Sequence, residues 1–165
     1  KMSSSNLNVL FLCTGNSARS IIAEGILRKL GGETFFSYSA GSQPAGKPNP
    51  YALAVLRDHD IDVSFARSKC WDEFANSDAP KMNLIITVCN NAAGEACPVW
   101  PGRPSIAHWG VPDPATVQGS QKDILDAFRT TYLEMETRIH ILLEAQPTAE
   151  TIGSLARSIS QAVIE

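Results

Sequence analysis

The apolar run Val9-Leu10-Phe11-Leu12 ends in Cys13-Thr14-Gly15-Asn16-Ser17-Ala18-Arg19-Ser20, and a helical pattern starts immediately behind it. Few backbones satisfy that order, because a buried strand must stop, turn within a handful of residues and launch a helix from the same point. Gly15 and Asn16 tolerate the positive φ that such a turn demands. The N–H groups of so tight a loop can converge on a bound tetrahedral anion, and the helix adds its positive end. Arg19, at the helix start, can fork two N–H bonds onto two anion oxygens. Thr14, Gly15, Asn16, Ser17, Ala18, Arg19 and Ser20 therefore read as an oxyanion cradle with Cys13 at its base. In that field the thiol is expected to have a lowered pKa, with the hydroxyls of Thr14 and Ser20 in reach of its sulfur, and so to attack what the loop binds. The plainer alternative, a cysteine buried at a strand end for packing, leaves the glycine, the asparagine and the hydroxyls unexplained.

Strand and helix signals alternate along the rest of the chain. Residues 8–13 read as a buried strand, 18–30 as a helix closed by Gly31-Gly32, and 35–40 as a second strand followed by a Pro- and Gly-rich loop. Asn49 can cap a helix with Pro50 in its first position, running to about Asp58. Residues 66–75 read as loop and short helix, 84–88 as a strand ending at Cys89, 105–109 as a fourth strand, and 121–145 as a long amphipathic helix. This order predicts an α/β fold in three layers, a four-stranded parallel sheet flanked by helices. Ligands of such sheets bind beyond the strand C-termini, where Cys13, Cys89 and residues 110–114 all fall. A last helical stripe of Ile152, Leu155, Ile159 and Val163 within 148–165 is expected to pack back on the domain. The expected organisation is a disordered lead over 1–6, one domain over 7–146 and a helical extension over 147–165, with Lys1 before Met2 set aside as a processing scar.

Charge removes several classes. The net charge is −3 and the 14 Lys and Arg form no basic block, so no nucleic-acid surface is expected. No stretch approaches the ~18 apolar residues of a membrane helix, and no signal-like apolar segment opens the chain, so a cytoplasmic location is expected. Four cysteines in that setting favour catalysis, redox chemistry or a metal over a disulfide framework.

Asp113 sits in His108-Trp109-Gly110-Val111-Pro112-Asp113-Pro114, where prolines and a glycine stiffen the backbone around one carboxyl group. Attack on an oxyanion must expel an oxygen, which such an acid can protonate; the competing reading is an Asp-Pro turn. Cys89 and Cys97 flank the small, flexible insert Asn90-Asn91-Ala92-Ala93-Gly94-Glu95-Ala96. If that insert rearranges, the two can close to the ~5.5 Å between Cα atoms that a disulfide needs, so that Cys89 reaches Cys13 and Cys97 then reaches Cys89. A zinc site from Cys70, Cys89, Cys97 and His108 is the rival reading, but their spacing matches no zinc pattern and no metal is expected. Cys70 reads as a small buried hydrophobe, and His59 and His140 as surface or packing residues. His108 is read either as orienting the acid loop or as structural.

Taken in order, Cys-x5-Arg-Ser at 13–20, the pair Cys89 and Cys97, and His108-Trp109-Gly110 with Asp113-Pro114 resemble the arsenate reductases built on the low-molecular-weight protein tyrosine phosphatase fold, a flavodoxin-like architecture. The similarity spans about residues 8–146, with the C-terminal helix as an addition. The resemblance implies that the loop binds arsenate, with phosphate or sulfate able to occupy the same place. It further implies that Cys13 attacks arsenic while Asp113 protonates the departing oxygen. Cys89 then attacks Cys13 and releases arsenite, Cys97 resolves the disulfide into Cys89–Cys97, and an outside dithiol reduces it. No resident cofactor is implied. Thioredoxin is the reductant in the best-known branch, and the wider spacing of the cysteine pair here leaves glutaredoxin, glutathione or mycothiol open. The alternative function is a phosphomonoesterase needing only Cys13, Arg19 and Asp113. Against it, Ala115 follows Asp113-Pro114 where tyrosine phosphatases of this fold carry a tyrosine, and Ala18 stands where their loop often holds a second cysteine. Family members that bind potassium use positions matching Asn16, Glu24 and Ser39; Lys69 falls where they supply an aspartate, so no potassium requirement is expected.

Overall fold

A computed structural model of the chain describes residues 6–89 and 100–163, with backbone alone from 161; Cys97 and the insert over 90–96 lie outside these residues. Four strands form, β1 (Leu7–Cys13), β2 (Phe35–Gly41), β3 (Leu84–Thr87) and β4 (Ser105–His108). The α-helices are α1 (Arg19–Leu30), α2 (Pro50–Asp58), α3 (Gln121–Glu144) and α4 (Ile152–Val163), with 3-10 turns at Trp71–Phe74 and Pro114–Thr116. The strands lie parallel in the order β2-β1-β3-β4. β1 is interior and buried on both faces, which is why its sequence is continuously apolar rather than alternating.

One face of the sheet, carrying Val9, Phe11, Leu84 and Ile86, packs against Ile22 and Ile26 of α1, Val55 and Leu56 of α2, and Phe128, Tyr132 and Met135 of α3. The other face, with Leu10, Leu12, Ala40 and Ile85, is covered by Phe74, Met82 and Trp100. This is the predicted three-layer α/β architecture. From β1 the chain goes outward to β2 on one side and later to β3 on the other, so the order reverses between β1 and β3. The carboxyl-end crevice of such a sheet opens at that reversal, and β1 ends there in Cys13. Val88 N–H donates to Leu12 O at 2.9 Å, which carries the chain after β3 alongside β1 and delivers Cys89 to the same mouth.

Element boundaries follow local chemistry. Asn49 caps α2 by accepting from Tyr51 N–H at 2.8 Å, with Pro50 in the first turn as predicted. Ser120 and Asp123 form a reciprocal capping box that starts α3. The last helix begins at Ile152, the first residue of the apolar stripe, because Thr148 and Thr151 exchange backbone-to-hydroxyl bonds of 2.8 and 3.2 Å and hold the entry as a turn. α4 packs back on its own domain, burying Ile152, Ala156 and Ile159 in the cluster that holds Trp109. Among the described residues no helix is long and apolar enough to cross a membrane.

Candidate active site

The cradle is assembled from outside. Gln43, Ala45 and Asn49 donate backbone N–H bonds of 2.9, 2.8 and 2.8 Å to the carbonyls of Thr14, Gly15 and Ser17. Ser68 Oγ adds a bond of 3.0 Å to Gly15 O and accepts from Gly46 N–H at 3.2 Å. Those carbonyls are thus engaged from outside by the 42–49 segment and Ser68, and the Gly15 N–H turns to Cys13. Asn16 takes the positive φ expected of it, 47°. The fit against β2 is close: a Cβ at Gly41 would collide with the Thr14 carbonyl and crowd Cys13 O and Asn16 N. α1 has no side-chain cap at Ala18 and no acidic residue in its first turn. Its N-terminal amides and dipole are thus available to an anion.

Behind the loop lies a buried polar chain. Asn16 Nδ2 donates to Ser20 Oγ and Ser39 Oγ, both at 2.9 Å, while Asn16 Oδ1 accepts from Lys69 N–H at 2.9 Å. Ser39 Oγ donates to Glu24 Oε1 at 2.5 Å, and Lys69 Nζ stands 3.3 Å from Ser39 Oγ and 3.8 Å from Glu24 Oε1. Burial raises the Glu24 carboxyl and lowers the Lys69 ammonium, with each partner's charge acting against the shift. Lys69 Nζ also donates to Arg67 O at 2.9 Å. An ammonium thus stands among Asn16, Ser39 and Glu24, the positions that the resemblance linked to potassium.

At the mouth, Arg19 donates to Val111 O at 3.1 Å and lies 3.4 Å from an Asp113 carboxylate oxygen. Asp113 Oδ1 accepts from Ala115 N–H at 3.0 Å, so the turn and the site use the same carboxylate. Cys13 and Cys89 are both buried thiols in hydrogen-bond contact, not joined in a disulfide, and Thr14 Oγ1 lies 3.6 Å from Cys89 Sγ. The expected lowering of the Cys13 pKa is overturned: the hydrogen bond with Cys89 and then burial push the thiol up, against the Arg19 charge and the Gly15 N–H, which pull it down. Of the two hydroxyls expected near Cys13, Thr14 meets Cys89 and Ser20 accepts from Asn16.

The remaining candidates fall elsewhere or have structural partners. His108 Nδ1 and Thr87 Oγ1 are 2.7 Å apart. His59 stacks on Tyr132 at 3.7 Å and His140 is exposed. Cys70 is half-buried rather than buried, because it lies on the outer side of β2 at a one-residue bridge to Gly41 where the sheet ends. Among the described residues no group of three or more His, Cys, Asp or Glu side chains is placed to hold a metal ion. Ser68, Gln43 and Ala45 carried no sequence signal, since their contacts bridge distant or conformationally set backbone.

The sequence pattern of the low molecular weight phosphotyrosine protein phosphatase family matches residues 8–152. A protein named arsenate reductase from Oceanobacillus iheyensis is 35% identical over 133 residues, 81% of this chain and 92% of that protein. One of the same name from Halalkalibacterium halodurans is 36% identical over 136 residues, 82% of this chain and 94% of that protein. A solved structure described as an arsenate reductase in the phosphate binding state superposes with a TM-score of 0.65 at 26% identity, covering 84% of this chain and 98% of the other. The chain belongs to the low molecular weight phosphotyrosine protein phosphatase family, on the branch that its arsenate reductase relatives occupy.

Proposed function

We propose that this protein reduces arsenate to arsenite by a thiol relay that starts at Cys13. The observation that carries this reading is the second buried thiol, Cys89, in hydrogen-bond contact with Cys13 at the base of the cradle. Hydrolysis of a phosphate monoester needs one nucleophile, an anion site and an acid; it has no use for a second sulfur against the first.

The steps balance as follows. Arsenate enters the loop, its charge met by the α1 amides and the Arg19 guanidinium. Cys13, once its thiol proton has passed to solvent, bonds to arsenic as thiolate, and an arsenate oxygen leaves as water with a proton from Asp113, whose carboxyl group lies beside Arg19. Cys89, as thiolate, then attacks Cys13 Sγ. The sulfur–arsenic bond breaks with its electron pair kept by arsenic, which leaves as arsenite, and a Cys13–Cys89 disulfide remains. Cys97 attacks Cys89, frees Cys13 and leaves a Cys89–Cys97 disulfide for an outside dithiol such as thioredoxin, or for the glutathione and glutaredoxin system. The two electrons given to arsenic are those lost by two thiols.

Reduced protein mixed with arsenate in the absence of any reductant is expected to release one arsenite per chain and lose two free thiols, counted by a thiol reagent. Cys13→Ser releases none. Cys89→Ser and Cys97→Ser each end multiple turnover once thioredoxin or glutathione is supplied. Sustained turnover by Cys89→Ser, or hydrolysis of an aryl phosphate without arsenite release from the wild-type protein, overturns the proposal.

A further inference from the structure

The C-terminal helix α4 starts at Ile152, the residue at which the match to the family ends. It lies along β4, the last strand of the sheet, whose outer edge has no neighbouring strand among the described residues. In a parallel strand alternate residues face opposite edges. Accordingly Ser105 and Trp109 donate their N–H groups inward, to Asn83 O at 3.1 Å and Thr87 O at 2.8 Å. The carbonyls of Ile106 and His108 face outward, and α4 supplies their donors: Arg157 reaches Ile106 O at 3.2 Å and Ser160 Oγ reaches His108 O. Trp109 closes the contact by donating its indole N–H to Ala156 O at 2.9 Å.

Only Gly110, Val111 and Pro112 separate that clamp from Asp113, and Val111 is pinned twice more. Its N–H donates to Val88 O at 3.3 Å, and its carbonyl accepts from Arg19 at 3.1 Å. Trp109 and Val111 share a buried cluster with Ile152, Ala156 and Ile159. We infer that α4 is a positioning element for the reaction: by gripping Ile106, His108 and Trp109 it holds the 108–113 segment where Asp113 stands beside Arg19. Arg157, Ser160 and Trp109 are the positioning residues. This rests on the reading of Asp113 as the acid.

The test uses the full chain carrying Arg157→Ala with Ser160→Ala, and separately Trp109→Phe. Hydrogen exchange over 108–113 is expected to quicken about tenfold in the double variant. Its kcat for arsenate reduction should fall about fivefold while KM stays within about twofold, the loss expected for one weakened hydrogen bond in the transition state. Ser160→Thr, which keeps the hydroxyl, retains wild-type exchange and rate. The deciding measurement is a double-mutant cycle with Asp113→Asn: because α4 acts through Asp113, adding the α4 substitutions to Asp113→Asn costs no further rate. Unchanged exchange or kcat in the double variant, or additive losses in the cycle, overturns the inference. Full activity of Asp113→Asn alone overturns instead the acid role on which it rests.

Discussion

At the scale of single residues, the Cys13 thiol is held in its protonated form by its contact with Cys89 and by burial. The Cys89 hydrogen bond is the largest influence raising Cys13, so Cys89→Ala leaves burial opposed by Arg19 and the Gly15 N–H and lets Cys13 ionise at lower pH. Alkylation of Cys13 by iodoacetamide, followed against pH, is expected to have its midpoint shifted downward in Cys89→Ala; an unchanged or higher midpoint contradicts the hold of Cys89 on the thiol. A raised thiol is mostly protonated at neutral pH, so the wild-type rate should climb with pH until Cys13 titrates. A second prediction concerns Lys69, whose side chain, like that of Glu24, is only 5% exposed. Lys69→Ala takes the nearer of two cations from the buried Glu24 carboxyl group, leaving Arg28 at 4.0 Å, and should cost about 3 kcal/mol in urea unfolding, while wild-type turnover is equal in sodium and potassium buffers. Strong potassium activation of the wild type refutes the view that the ammonium serves there. The placing of Cys13 and Arg19 on one loop was legible because that chemistry is local: a strand end, a glycine and a helix start are neighbours in sequence, whereas Asp113 stood out only by the prolines and glycine around it. The raised thiol was not legible, because its cause, Cys89, sits just past the end of β3 and acts only once the sheet brings the two strand ends together.

At the scale of elements, the loop's shape is imposed by its neighbours. The 42–49 segment binds three of its carbonyls, and the end of β2 approaches so closely that only glycine fits at position 41. Gly41→Ala must push the Thr14 carbonyl away, and misplacing a reacting group by about 1 Å can cost about 100-fold in kcat/KM. Steady-state kinetics should show that loss with the far-ultraviolet spectrum intact; near-normal kcat/KM means that the loop yields without consequence. Helix α2 was readable to the residue because Asn49 and Pro50 each fit one terminal position only. The start of α4 was left open within 148–165 because the stripe of apolar residues marks a face, whereas the beginning of a helix is decided by caps, here the Thr148 and Thr151 exchange. The outward-facing carbonyls of β4 and the helix that serves them belong to pairing across the fold, which periodicity does not encode.

At the scale of the whole molecule, the reversal of strand order between β1 and β3 gathers Cys13, Cys89 and Asp113 from three distant stretches of chain at one edge. That convergence was expected from the alternation of strands and helices alone, since a parallel sheet sends all its carboxyl ends the same way. The uncapped start of α1 has a consequence for the molecule as a whole. With no side-chain cap at Ala18 and no acidic residue in its own first turn, this helix start is open to an anionic guest, and an anion bound there links its binding to folding. Inorganic phosphate, which has the shape and charge of arsenate, should therefore behave as a stabiliser, adding about 2.7 kcal/mol when present at about 100 times its dissociation constant. Differential scanning calorimetry in phosphate and in chloride of equal ionic strength should separate the two by several degrees, and Arg19→Ala should abolish the difference. In a phosphate-rich medium this protein would be kept folded by the very ion it must release before its chemistry can begin.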